Sequence, residues 1–171
     1  MLMDSDLLGQ LVDRHAAALE LFARQWCDAP EDVVQEAFVK LASQRTTPEN
    51  PAAWLFRVVR NGALNAAQAA RRRRRYEADA AAESTGWFQA DPSLTKPDVL
   101  DTETAAAELR ALPLEQREVI IAHLWGGLTF QEIAQVSSCS ASTAHRLYSS
   151  GLSMMRERLG VTCRKDRPNP I

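Results

Sequence analysis

The stretch LTFQEIAQVSSCSASTAHRLY, Leu128 to Tyr148, decides the fold. Thr129-Phe130-Gln131-Glu132 has the form of a capping box, in which the Thr hydroxyl accepts from the Glu132 amide and the Glu carboxylate reaches back to the cap. This predicts a short helix with Ile133, Ala134 and Val136 turned inward. After the turn Ser137-Ser138-Cys139, Ser140 caps a second helix whose inward residues are Ala144, Leu147, Tyr148, Gly151, Leu152, Met155 and Leu159. Two short helices across a tight turn, with small Ala134 at their crossing, form a helix-turn-helix whose second helix fits a DNA major groove. Outward near its start stand Ser142, His145, Arg146 and Ser149. Arg146 is the strongest candidate for a base edge; the serines and the imidazole serve as readily as solvated surface. Ser138 would more comfortably be Gly if the turn requires a positive φ.

Upstream, Leu112-Pro113 opens a helix with Val119, Ile120 and Leu124 inward, closed by Gly126-Gly127. Nearer the start of the chain, periodicity gives three more helices. The first runs from about Asp6 to Trp26 with a stripe of Leu8, Leu11, Val12, Leu19, Phe22, Ala23 and Trp26. Ala29-Pro30-Glu31-Asp32 starts the second, with Val34, Ala37, Phe38 and Leu41 inward and Asp32, Gln35, Glu36 and Lys40 outward. Asn50-Pro51 starts the third, which turns Trp54, Leu55, Val58, Val59 and Gly62 inward and Arg57, Arg60, Asn61, Gln68 and Arg71 outward. It ends in Arg71-Arg72-Arg73-Arg74-Arg75. Cations suit a helix C-terminus, but five together repel one another for little structural gain, so phosphate contact is the preferred reading.

The formal net charge of −2 averages unlike blocks: +2 over residues 1–75, −7 over 76–108 and +3 over 109–171. The acidic block has Pro92 and Pro97 and no sustained apolar period, which reads as a mobile linker with short helical pieces. Within it, Trp87-Phe88 either docks on a neighbouring domain or anchors a partner surface. The expected architecture is all-α, two small helical domains joined by an acidic flexible linker. Its divisions are 1–75, a linker over 76–107, the helix-turn-helix domain over 108–160 and a disordered tail over 161–171.

With 171 residues, 46% of them hydrophobic, the chain can bury one modest core or two small ones. No apolar run is long enough to span a bilayer, and Asp4 and Asp6 stand where a signal peptide would be basic, so a soluble cytoplasmic protein is expected. Cys27, Cys139 and Cys163 are too scattered for a disulfide framework or a zinc site. There is no Gly-rich phosphate loop, no clustered metal ligands and no nucleophile–base constellation, and His15, His123 and His145 fall on separate helices. Neither catalysis nor a metal or cofactor is expected.

Several short stretches, taken in order, resemble the bacterial sigma factors of the extracytoplasmic-function (ECF) type, within the sigma-70 family. They are Asp32-Val33-Val34-Gln35-Glu36-Ala37-Phe38, Ala53-Trp54-Leu55-Phe56-Arg57-Val58-Val59-Arg60-Asn61, Leu112-Pro113, Arg117-Glu118-Val119, Gly127-Leu128-Thr129 and Glu132-Ile133-Ala134. Ser140, Thr143, Leu152 and Arg156 follow at the family's spacing. The resemblance implies a subunit that directs core RNA polymerase to promoters. Asp32, Gln35 and Glu36 would face the clamp helices of the β′ subunit, and the second domain would meet the β flap. The loop from about Gln44 to Ala53 would hold a flipped base of the −10 element; contacts to the exposed strand must repay base extraction. Arg57, Arg60, Asn61 and the arginines Arg71, Arg72, Arg73 and Arg74 would follow that strand. Trp54 is a candidate for stacking there, although an inward Trp on an amphipathic helix is ordinarily core. Ser140, Ser142, Thr143, His145, Arg146 and Ser149 would read the −35 element, and the linker would thread towards the RNA exit path. An anti-sigma factor is an expected partner.

One departure is that Leu147, Ser149, Ser150 and Ser153 occupy a stretch where the family commonly has Lys or Arg. Fewer phosphate contacts imply weak DNA binding by the domain alone and a shallow salt dependence, and tethering both modules to one polymerase offsets that. Two other classes fit parts of the sequence. A free-standing helix-turn-helix regulator would bind symmetric sites without polymerase, and a helical adaptor would bind no DNA.

Overall fold

The computed structural model describes residues 4–81 and 102–160, and all regular structure among them is helical. Trp87-Phe88, Cys163 and the tail 161–171 lie outside the described residues. The elements are α1 (Ser5–Ala23), α2 (Pro30–Ala42), α3 (Pro51–Ala81), α4 (Thr102–Ala111), α5 (Leu114–Leu124), α6 (Phe130–Ser137) and α7 (Ala141–Arg158). α3 continues past the arginine run to Ala81, and α4 is a helix that periodicity did not delimit. No helix of the described residues is long and apolar enough to cross a membrane.

Helices α1, α2 and α3 pack as a three-helix body. Asp4 caps α1, its carboxylate accepting from the Asp6 amide at 3.2 Å. Pro30 occupies the first turn of α2, where its missing N–H goes unmissed. Asn50 caps α3, its side-chain oxygen accepting from the Ala53 amide at 3.0 Å. Val34, Ala37, Phe38 and Leu41 are all buried, as the α2 stripe predicts. Phe22 is fully enclosed and sets its ring edge-on to both Trp26, at 4.9 Å, and Phe56, at 5.0 Å. Val12, expected in the same stripe, is exposed, because burial along α1 begins only at His15.

The second body is α4 to α7. Its capping box is complete: Thr129 Oγ1 accepts from the Glu132 amide at 3.3 Å, and the Glu132 carboxylate accepts from the Thr129 amide at 2.7 Å. Ser138 adopts φ 55°, ψ 43°, the left-handed conformation in which Gly would be at ease. Ala144 and Gly151 are the buried residues of α7. A Cβ on Gly151 would come within 2.7 Å of Ile120 Cδ1, so the small residue sets how closely α7 approaches α5. His123, Phe130, His145 and Tyr148 form an aromatic cluster joining α5, α6 and α7, with His123 stacked on Phe130 at 4.5 Å. His123 Nδ1 donates to the Leu128 carbonyl at 2.7 Å, fixing the ring. Leu124, expected inward, is 52% exposed; the helix stops there and the chain reverses through Gly127, leaving its last turn projecting.

The two bodies are packed against each other. α5 lies against α1, and α6 against α3. Glu118 through Ala122 are therefore buried in an unbroken run, as expected for a helix covered on all sides.

Candidate nucleic-acid interface

Three surfaces carry the residues singled out in the sequence. On α2, Asp32, Gln35 and Glu36 are all exposed and lie one turn apart on one face. Glu36 meets Lys40 at 2.8 Å, an exposed pair worth only a few tenths of a kcal/mol. Among the described residues nothing in the packing requires these side chains, and the face is left uncovered.

The second surface is α3. Arg57, Asn61 and Arg71, Arg72, Arg73, Arg74 and Arg75 are exposed along it. Arg74 reaches Asp28 at 3.4 Å, with both groups well solvated. Between the α1–α2 turn and α3 lies a hollow of about 380 Å³ lined by Trp26, Cys27, Ala66, Ala70, Arg71 and Arg74. Burial pushes the Cys27 thiol up, and it donates to the Ala23 carbonyl at 3.5 Å, which leaves a poor nucleophile. Trp54 is half-buried and lines a second hollow, of about 210 Å³, together with Pro48, Asn50, Arg57, Gln135 and Val136. One wall is therefore the loop before α3, and the other is α6.

Arg60 departs from expectation. The helical period sets it with the outward residues, yet its side chain is only 23% exposed. Its guanidinium sits 6.0 Å over the Trp26 ring, and its Nε donates to Glu118 Oε1 at 2.6 Å. The physical reason is Glu118, a carboxylate buried in α5 that also accepts from Ser137 Oγ at 2.5 Å and needs a cation as partner.

The third surface is the start of α7. Ser142, His145, Arg146 and Ser149 are exposed and recur at one-turn spacing, forming a continuous face. Ser140 and Thr143 have local duties. The Ser140 hydroxyl accepts from the Thr143 amide at 3.1 Å and shares hydrogen bonds with the hydroxyls of Ser142 and Thr143 at 2.9 and 2.8 Å. They shape the N-terminus of the helix, and Arg146 carries the free charge of this face. Among the described residues, no group of three or more His, Cys, Asp or Glu is placed to hold a metal ion.

The contacts between the bodies escaped sequence reasoning. Besides Arg60 and Glu118 they include Asn50, whose side-chain amide donates to the Glu132 carboxylate, so that the caps of α3 and α6 are linked. Phe56 lies off the α3 stripe but is fully buried against the Gly126 turn. The available signals were Phe56 itself and the continuous apolar run of α5.

Comparison with known proteins matches residues 11–76 to the family model described as "Sigma-70 region 2" and residues 103–155 to "Sigma-70, region 4". A curated relative, the ECF RNA polymerase sigma factor SigJ of Mycobacterium tuberculosis (strain ATCC 25618 / H37Rv), is 34% identical over 131 residues. That alignment covers 70% of this chain, which spans 39% of the relative's length. Among solved structures, the sigma factor RpoE in complex with the anti-sigma factor NepR from Bartonella quintana superposes with a TM-score of 0.61 at 24% identity, over 94% of this chain and 100% of that one. CnrH in complex with the cytosolic domain of CnrY gives 0.58 at 24% identity, over 94% and 92%. At this identity the two structures share its fold.

Proposed function

The chain belongs to the sigma-70 family, in its ECF branch, and from that premise we propose that it is a promoter-specificity subunit of RNA polymerase with no catalysis of its own. Residues 1–75 bind core polymerase and the −10 element, and residues 108–160 bind the −35 element. The acidic segment 76–107 joins them. Asp32, Gln35 and Glu36 dock on the β′ clamp helices, the second body meets the β flap, and Ser142, His145, Arg146 and Ser149 face the duplex. Arg57, Asn61 and Arg71 to Arg74, with Arg60 once it is released, follow the opened strand, and Trp54 borders the base pocket. The work is done in the cytoplasm, where an anti-sigma factor is the natural antagonist.

The observation that carries this reading is the coexistence, in one chain and in family order, of a free polar face on α2, a basic α3 and a helix-turn-helix with an open reading face. Weak separate contacts suffice when one large scaffold holds both modules. The test is run-off transcription with purified core polymerase. Gln35→Ala combined with Glu36→Ala should abolish promoter-directed transcripts while the helical content stays unchanged; normal transcription from the double variant overturns the assignment.

A further inference from the structure

We propose that the hollow between α1 and the α5–α6 turn is a binding site for a small carboxylate with an apolar body, its charged end on Arg14 and His15 and its apolar end on Leu124 and Trp125. The hollow belongs to none of the three surfaces described above. It encloses about 460 Å³, within the range of small-molecule sites. The first body supplies its charged side, with Arg14 and His15 on α1, and the second supplies its apolar side, with Leu124, Trp125 and Leu128.

Three observations point to an occupant. His15 is only 9% exposed and lines the hollow, yet among the described residues its Nδ1 has no hydrogen-bond partner. An enclosed polar atom left unpaired is costly, and the broad χ2 torsion of His lets the ring turn that nitrogen towards a ligand. Arg14, beside it, is exposed and takes part in no ion pair among the described residues. A carboxylate between the two would accept from the guanidinium and from the one N–H of a neutral imidazole. Leu124 and Trp125, adjacent in the chain, are 52% and 50% exposed and line the same hollow. Scattered apolar side chains on a surface need no explanation, but a neighbouring pair beside a concavity gains from an apolar occupant.

The remaining groups narrow the ligand. The amides of Gly126, Gly127 and Leu128 are spent on carbonyls of α5, so the turn offers carbon surface and no amide nest for an anion. Glu132 would repel a carboxylate, but its oxygens already accept from the Thr129 amide, the Thr129 hydroxyl and the Asn50 side chain. Asn50 is committed in turn, its own oxygen accepting from the Ala53 amide. Arg14 and His15 are therefore the groups left to receive a charge. Because the walls come from both bodies, an occupant favours their packing by mass action, which gives the chain a small-molecule input.

The experiment titrates the full chain with 3-phenylpropionate and, separately, with its uncharged amide, and follows the His15 ring and Trp125 indole signals by nuclear magnetic resonance. The acid should shift both signals saturably, with a Kd on the order of a millimolar or tighter, as suits a ligand of about eleven non-hydrogen atoms. The amide should bind at least about tenfold more weakly, because it lacks the charge that Arg14 meets. Arg14→Gln should weaken the acid by a similar factor and leave the amide nearly unchanged, whereas Trp125→Ala should weaken both ligands. Arg24→Gln, the same charge change further along α1, should alter neither. No saturable shift overturns the site and leaves the exposed pair as a surface for a protein partner. Equal affinity for acid and amide, or an equal loss from Arg14→Gln and Arg24→Gln, overturns the carboxylate assignment. Every one of these outcomes is independent of whether the chain directs polymerase to promoters.

Discussion

The first body, α1 to α3, builds its centre from large aromatics that meet one another, Phe22 against Trp26 and Phe56. The second fills its centre with branched aliphatics on α5 and α6 and sets its helix spacing with Ala144 and Gly151. Its middle helix is buried all round because the first body covers one side of it. The contrast has a consequence for stability. The first body closes most of its core by itself, while the second completes the cover of α5 by borrowing the surface of α1 and α3. Function divides along the same line, since the borrowed surface includes the groups expected to hold an opened DNA strand.

The strongest way to break the comparison is Phe22→Ala, which removes the ring at the centre of the first body. It should cost about 3–5 kcal/mol and lower the melting temperature by roughly 10–15 °C. Hydrogen exchange should show protection lost first across α1 to α3, with α6 and α7 holding longer. Equal loss in both bodies would mean that they form one cooperative unit. A smaller probe touches the second body alone. Ser138→Gly relieves the left-handed residue at φ 55°, a strain of order 1 kcal/mol, against the greater freedom of Gly in the unfolded chain. The net should be a gain of about 0.5 kcal/mol, seen as a rise of about 1–2 °C in melting temperature. A loss would show that the serine side chain contributes to the turn.

The subtlest probe is pH, through His15 on α1. Burial, and then the neighbouring Arg14, hold its pKa below the ordinary 6.5, and among the described residues its Nδ1 has no hydrogen-bond partner. The folded state therefore favours the neutral ring, and the unfolded chain binds the proton more readily. The stability this confers is complete above 6.5 and declines as pH falls through and below that value towards the folded-state pKa. Denaturant melts from neutral to mildly acidic pH should show that decline, and His15→Phe should flatten it. An unchanged slope in the variant would assign the acid sensitivity to other groups.

Much of this fold was legible because the sequence marks its helix starts chemically. Asn50-Pro51, Ala29-Pro30-Glu31 and the Thr129–Glu132 box each sit where a helix begins. The inward stripe of α2 matched residue for residue. Other features were hidden for identifiable reasons. α4 lies within an alanine-rich acidic run whose buried anchors are Leu109 and Leu112, too few to set a period. Leu124 fits the helical period but projects where its helix ends. On the candidate site, exposure of Asp32, Gln35, Glu36, Arg57, Asn61 and Arg146 followed from one-turn spacing alone. Arg60 did not, because its partner is 58 residues away and no local pattern reports such a pair.

The central claim, that this chain directs polymerase to promoters, is tested most directly by adding the purified chain to core RNA polymerase on a randomised promoter pool and sequencing the 5′ ends of the transcripts. The account predicts starts concentrated at fixed distances downstream of two recurring upstream elements. Transcripts indistinguishable from those of core polymerase alone, with no retention of the chain on the enzyme, would contradict it.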